Sequence, residues 1–244
     1  MTNLGQVFDG IYENRVWGNG IWTPRSGSGS KPDNALTYVK FVKKIIDDYK
    51  INSVTDFGHG DWLMWGDYNF DGMFYTGIEV SKYAHDLVSR SFASPNRNFI
   101  LEDVLDSKEI VSSELLISKD VVQHLSIRNI QDLLRIISKS GFRYLIFCND
   151  VYVQQSFLGW FRYHFRIRTR IKKMIELENP FFLTFKRRNN HEIVDGDFRG
   201  IDFEQPPFSS ELTDFNLLHR EDYDGPWRDG IKKRIYLYER NREL

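Results

Sequence analysis

The 244-residue sequence contains a single cysteine, Cys148, so no internal disulfide can staple the fold. A reducing cytoplasm is the expected setting. Cys148 ends the apolar run Tyr144-Leu-Ile-Phe-Cys148, which reads as a buried strand rather than the surroundings of a nucleophile. No uncharged apolar run approaches the roughly 18 residues that a membrane-crossing helix needs. The N-terminal stretch has no basic segment leading into an apolar core, so no secretory leader is expected. Nor is there an excess of either charge: 33 Lys+Arg stand against 34 Asp+Glu, and no global field favours a nucleic-acid partner. These absences leave a soluble chain, at most peripheral to a membrane.

What is present suits one sizeable α/β domain, with 41% hydrophobic and 27% charged residues. Residues 1–33 are rich in Gly, Ser, Trp and Asn and read as a loop-rich arm. From Asn34 to Tyr49, Leu36, Val39, Val42, Ile45, Ile46 and Tyr49 recur at helical spacing. Short apolar runs at 53–57, 74–80, 98–101, 114–118 and 143–148 then read as buried parallel strands, with amphipathic helices at 81–92 and 127–140. Strands alternating with helices imply βαβ units, a doubly wound sheet and helices on both faces.

After Asp150 the pattern changes. Residues 155–175 are aromatic and basic and expected to be helical, and 161–190 carry nine Lys/Arg against two Glu. Residues 196–208 are loop-like, with Pro206 and Pro207 excluding helix. Strands near 213–219 and 232–239 are expected to close the sheet as an antiparallel pair.

Chemistry concentrates at the ends of the expected strands. Asp56-Phe-Gly58-His-Gly60-Asp61 ends the first one. Its glycines permit a tight turn and clear space for a ligand at the strand's carboxyl end. A dinucleotide site would want a third glycine opening a helix around pyrophosphate. Here Asp61 stands at that point and would repel phosphate, so an uncharged or cationic ligand fits better. Glu79, followed by Val80, ends the second strand, where an acid can accept both hydroxyls of a ribose. Asp103 and Val104 follow the third strand, suited to an amino group and a flat ring. Ser118-Lys119-Asp120-Val-Val-Gln-His124 follows the fourth and is expected to open a helix.

With these four signals in order, the sequence resembles the class I S-adenosylmethionine (SAM) methyltransferases over essentially its whole length. The resemblance implies a Rossmann-like seven-stranded mixed sheet, with SAM as cofactor. It implies that Asp56, Gly58, Gly60 and Asp61 face the methionine part, Glu79 and Val80 the ribose, and Asp103 and Val104 the adenine, with Lys119 beside them. A subgroup with Gly-Asp-Trp or Gly-Asp-Phe at the turn also shows a Trp-Gly and Ser-Gly-x-Gly-Ser arm, matched by Trp17-Gly18 and by Ser26, Gly27 and onward to Ser30. A late Pro-Pro-Phe segment is matched from Arg199 to Phe208. The nearest likeness is to microbial and viral sugar or small-molecule O-methyltransferases. The chain then divides into an arm or lid (1–33), a SAM-binding core (34–150), an acceptor-site cap (151–210) and a closing hairpin (211–244).

The Ser26–Ser30 stretch is either a flexible linker or a lid closing over the cofactor with Trp17. Asp120 and His124, at i and i+4 of a helix, would point together at the cleft. A histidine suits removal of a hydroxyl proton as the methyl group arrives, although a helix cap with a packed histidine would look the same. Asn149 and Asp150 end the fifth strand; with Asp120 they could hold Mg²⁺ through oxygen, or simply form a turn. Arg199 and Asp202 are candidate contacts to a polyol acceptor. The basic aromatic stretch 155–188 reads first as a cap over the acceptor. It reads alternatively as a nucleic-acid surface with Tyr163 and Phe165 for stacking, or as a membrane-resting helix with Trp160, Phe161, Arg166, Arg168 and Arg170. The rivals to a sugar O-methyltransferase are therefore a nucleic-acid methyltransferase and a non-catalytic protein of the same fold.

Overall fold

The computed structural model describes residues 3–18, 24–66, 68, 70, 72–153, 188–226 and 230–241. Its centre is a seven-stranded sheet of order β3-β2-β1-β4-β5-β7-β6. The strands are β1 (Ser53–Phe57), β2 (Phe74–Glu79), β3 (Arg97–Leu101), β4 (Leu115–Lys119), β5 (Tyr144–Tyr152), β6 (Phe215–Tyr223) and β7 (Ile231–Arg240). The first five are parallel, β7 runs antiparallel to β5, and β6 antiparallel to β7. This is the mixed sheet expected from the sequence.

The central strands are apolar on successive residues because both faces are covered. Leu116, Leu145 and Phe147 face a cluster with α5 (Ile127–Lys139), while Leu115, Ile117, Ile146 and Cys148 face α2 (Pro32–Tyr49). Helix α2 starts with Pro32 in its first turn and buries Ala35, Tyr38, Val42, Ile45 and Ile46. Helix α5 is capped by the Ser126 hydroxyl, which accepts from the Asn129 N–H at 3.4 Å, and buries Ile130, Leu133, Leu134 and Ile137. Helices α3 (Lys82–Phe92) and α4 (Val104–Ser107) follow β2 and β3. No helix among the described residues is long and apolar enough to cross a membrane.

One element departs from expectation. The arm begins with a helix, α1 (Leu4–Glu13), capped by Asn3 and burying Leu4, Phe8, Ile11 and Tyr12. Its Asp9 carboxylate accepts from the Ser81 hydroxyl at 2.6 Å and the Tyr83 N–H at 2.9 Å, docking α1 on the start of α3. The basic aromatic stretch 155–175 expected to be helical lies outside the described residues.

In the strand order, β1 lies between β2 and β4, so the chain leaves toward opposite edges from this point. A crevice at the carboxyl ends is the physical result, and it is where ligands bind in open α/β sheets.

Candidate active site

The turn after β1 ties the crevice together. Gly58 has φ +75°, and a Cβ there would lie 2.3 Å from Val121 Cγ2, so no other residue fits. Its N–H donates to the Ile78 carbonyl at 2.8 Å. The Gly60 N–H donates to Glu79 Oε2 at 3.0 Å, while Val80 and Ser81 N–H groups donate to Oε1, each at 3.0 Å. Burial pushes the Glu79 carboxyl up to about 7, against the pull of these three donors.

Around this turn lies a cavity of about 870 Å³. Of the residues expected to hold the cofactor, Trp17, Ser26, Ser30, Gly58, Gly60 and Asp61 line it. So do Glu79, Val80, Asp103, Val104 and Lys119, together with both expected catalytic residues, Asp120 and His124. Asp103 caps α4 by accepting from the Leu105 N–H at 3.0 Å, and partial burial raises its carboxyl.

Asp56 and Gly27 do not line the cavity. Strand alternation explains the first: Asp56 shares the α2-side face with Val54, whereas Phe57 points to the cavity. The Asp56 carboxylate accepts from the Tyr75 hydroxyl at 2.6 Å and Trp65 Nε1 at 3.1 Å, and burial pushes it up to about 6. Gly27, at φ +98°, supplies the bend beneath Trp17.

The Ser26–Ser30 stretch is built into the site rather than left as a free linker. Asp61 accepts from the Ser26 N–H at 3.1 Å and from its hydroxyl at 2.6 Å. Lys119 Nζ donates to the Gly29 carbonyl at 3.0 Å, and a Cβ on Gly29 would meet Asp120 Oδ2 at 2.7 Å. Residues 28–30 form a short 3₁₀ turn that runs directly into α2.

Asp120 and His124 meet at the cavity by a different route from a helical i, i+4 pair. Asp120 has φ +61°, Val122–His124 is a short 3₁₀ turn, and α5 begins only at Ile127. The Asp120 carboxylate is ion-paired with both Lys119 and Lys233, and Lys233 also lies 2.9 Å from Asp150. Burial raises the Asp120 carboxyl, but the two ammonium groups outweigh it and hold it well below the usual carboxylate range. The Asp150 carboxyl is raised by its burial. Lys233 thus occupies the position between Asp120 and Asp150. An ammonium there does not fit Mg²⁺, which would need those oxygens itself. Among the described residues no group of three His, Cys, Asp or Glu is arranged to hold a metal ion.

His124 Nδ1 lies 2.7 Å from the Asp197 carbonyl, which can only accept, so Nδ1 carries the proton of the neutral ring. Nε2 is then the basic nitrogen, 3.4 Å from the Gln123 amide nitrogen. Burial pushes the imidazole down to about 4, and Trp17 covers it at 4.4 Å between centroids.

Asn149, Asp150, Arg199 and Asp202 do not line the cavity. Asp202 ties its loop to β7, pairing with Arg234 at 3.1 Å and accepting from the Tyr236 hydroxyl at 3.0 Å. Four contributors were not expected from the sequence: Leu4, Phe8 and Tyr12, which line the cavity from α1, and Lys233 beneath it. The Leu4, Phe8, Ile11 spacing after Asn3 is a helix signal that was there to be read.

No family model matches the chain, and no curated protein matches it. Solved structures do match. Magnesium protoporphyrin IX methyltransferase from Synechocystis PCC 6803 with bound SAH is 14% identical, with 98% of each chain covered and a TM-score of 0.60. A SAM-dependent methyltransferase from Anabaena variabilis is 14% identical over 99% of this chain and 96% of its own, with a TM-score of 0.58. The N-methyltransferase NodS from Bradyrhizobium japonicum, in complex with S-adenosyl-L-homocysteine, is 12% identical over 98% and 99%, with a TM-score of 0.56. The fold is that of the class I methyltransferases. At these identities the likeness is one of fold alone.

Proposed function

We propose that the protein is a SAM-dependent methyltransferase acting on a hydroxyl of a sugar or other small molecule. The observation that carries this is the convergence of Gly58–Gly60, Glu79, Asp103 and the Lys119–His124 segment, from the ends of four successive parallel strands, on one cavity. Asp61, Glu79, Glu102 and Asp103 make its walls acidic. Such walls disfavour a pyrophosphate and favour a ligand bearing positive charge. SAM, when bound, supplies a methyl group on a positively charged sulfur.

The remaining work falls to this chain. Glu79 is placed to accept ribose hydroxyls, its oxygens already oriented by three backbone donors. Asp103 and Val104 offer an acceptor and an apolar surface for adenine. Trp17 and Phe8 exclude water, and the Ser26–Ser30 loop closes the wall opposite. His124 Nε2 takes the proton of the acceptor hydroxyl. Asp120 is the weaker candidate for that task, because two lysines keep its proton affinity low. Its negative charge instead supports the imidazolium as it forms.

Calorimetry with SAM and with S-adenosylhomocysteine tests the cofactor, and absence of binding by both leaves a non-catalytic protein. Label transfer from tritiated SAM into a glycan pool and into RNA tests the acceptor. Label appearing only in RNA replaces the sugar reading with the nucleic-acid one, which rests on the basic stretch outside the described residues.

A further inference from the structure

Behind His124 lies a second polar cluster that the cofactor does not account for. Arg199 is fully buried. Its Nη2 donates to the Leu125 carbonyl, but Nε and Nη1 have no partner among the described residues. Asn149 is 1% exposed, and both polar atoms of its side chain are likewise without a partner. One residue links the two. The Gln123 side chain accepts from the Asp150 N–H at 2.8 Å, in the peptide that leaves Asn149, and the Gln123 carbonyl accepts from the Arg199 N–H at 3.2 Å. Gln123 also approaches His124 Nε2. The cluster is therefore next to the proposed base.

Buried guanidinium groups normally have carboxylate partners, and an unsatisfied buried donor costs the full desolvation of that group. The acids whose charge reaches Arg199, Glu192 and Asp195, are engaged elsewhere. Glu192 accepts from Ile127 and Ile193 N–H groups, and Asp195 from the Ser126 N–H and the Asn129 amide. Both serve the start of α5. Arg199 is left with a positive charge and two free donors in the planar fork that fits a carboxylate or phosphate.

We infer that Arg199, with Asn149 beside it, binds an anionic group of the acceptor, so the substrate is an acidic or phosphorylated small molecule rather than a neutral polyol. The inference rests on the methyltransferase reading for the word acceptor, but anion binding is testable without it. Phe198, adjacent in the chain and with its ring 5.9 Å from that of His124, marks the approach to the pair.

The full-length protein is first titrated with S-adenosylhomocysteine; failure to bind refutes the methyltransferase reading alone. Calorimetric titrations with glucose 6-phosphate, glucuronate and glucose then follow, with the cofactor product present and absent. Binding of at least one charged probe about tenfold or more tighter than glucose is expected, and the tighter of the two identifies phosphate or carboxylate. Arg199→Met is expected to reduce the charged probes to the level of glucose while affinity for S-adenosylhomocysteine is kept. Should that variant not fold, Asn149→Asp places a carboxylate beside the guanidinium and is expected to abolish the same preference. Equal behaviour of all three probes, including no binding by any, overturns the inference. So does a charge preference that survives either folded variant.

Discussion

The Asp61 carboxylate holds Ser26 twice, through its backbone N–H at 3.1 Å and its hydroxyl at 2.6 Å. Two residues 35 positions apart thereby fasten the N-terminal arm to the glycine turn, and the arm becomes one wall of the cavity. Asp61→Ala is expected to release that wall, weakening SAM binding about tenfold and the fold by about 1–2 kcal/mol. Ser26→Ala should cost less, since the backbone bond remains. In the double variant the two losses should fall short of additive; strictly additive calorimetric values would show that the pair does not act as one.

Lys233 separates two buried carboxylates. Replacing it with methionine leaves Asp120 and Asp150 uncompensated in a site from which water is largely excluded, an expected loss of about 3–5 kcal/mol in urea unfolding. Adding Asp150→Asn should restore part of that stability. A single Lys233→Met variant as stable as the parent would remove the ion network from the account of the fold.

Buried acids and buried histidines pull the pH dependence in opposite directions. The Glu79 carboxyl is pushed up to about 7 and Asp56 to about 6, so the folded chain holds those protons more tightly than the unfolded one. Their contribution favours folding at low pH and is lost as pH rises from about 4.5 toward 7. Burial pushes His124 down to about 4 and His59 down to about 3. Their contribution is present above about 6.5 and is lost as pH falls through that interval. Glu79→Gln removes one opposing effect. Its stability relative to the parent should therefore climb between pH 5 and 7, by at most about 1.4 kcal/mol per unit. Parallel curves in urea midpoints at pH 5, 6 and 7 would contradict this.

For His124, replacement by asparagine should lower the rate of methyl transfer about 10²–10⁴-fold while SAM affinity stays within about twofold. Equal rates, measured with labelled SAM on whichever pool accepts the label, would return the role to Asp120 or to solvent.

Most of the sheet was legible because β1, β4 and β5 are covered on both faces and so read as unbroken apolar runs. Helices α2 and α5 were legible from their buried stripes. Helix α1 was not recognised because the Gly/Ser content of the first 33 residues outweighed the short spacing of Leu4, Phe8 and Ile11. The strand end was located correctly, yet the side of the sheet taken by Asp56 depends on a period of two that a five-residue strand barely displays. Asp120 and His124 were paired for a helix that the left-handed backbone at Asp120 rules out at that point. Lys233 stood in the run Lys232-Lys233-Arg234, which looks solvated. Its burial follows only from partners 113 and 83 positions earlier in the chain.

That distance has a consequence for how the molecule is made. On the ribosome, the acids at the ends of β4 and β5 emerge well before the lysine that neutralises them. Until β7 is added, packing β4 against β5 brings two carboxylates together without a counter-ion. The nucleotide-binding half is thus not an independent folding unit to which a hairpin was later attached. Its polar floor is completed by the hairpin, and cavity formation waits on the strand that is translated last among those of the sheet.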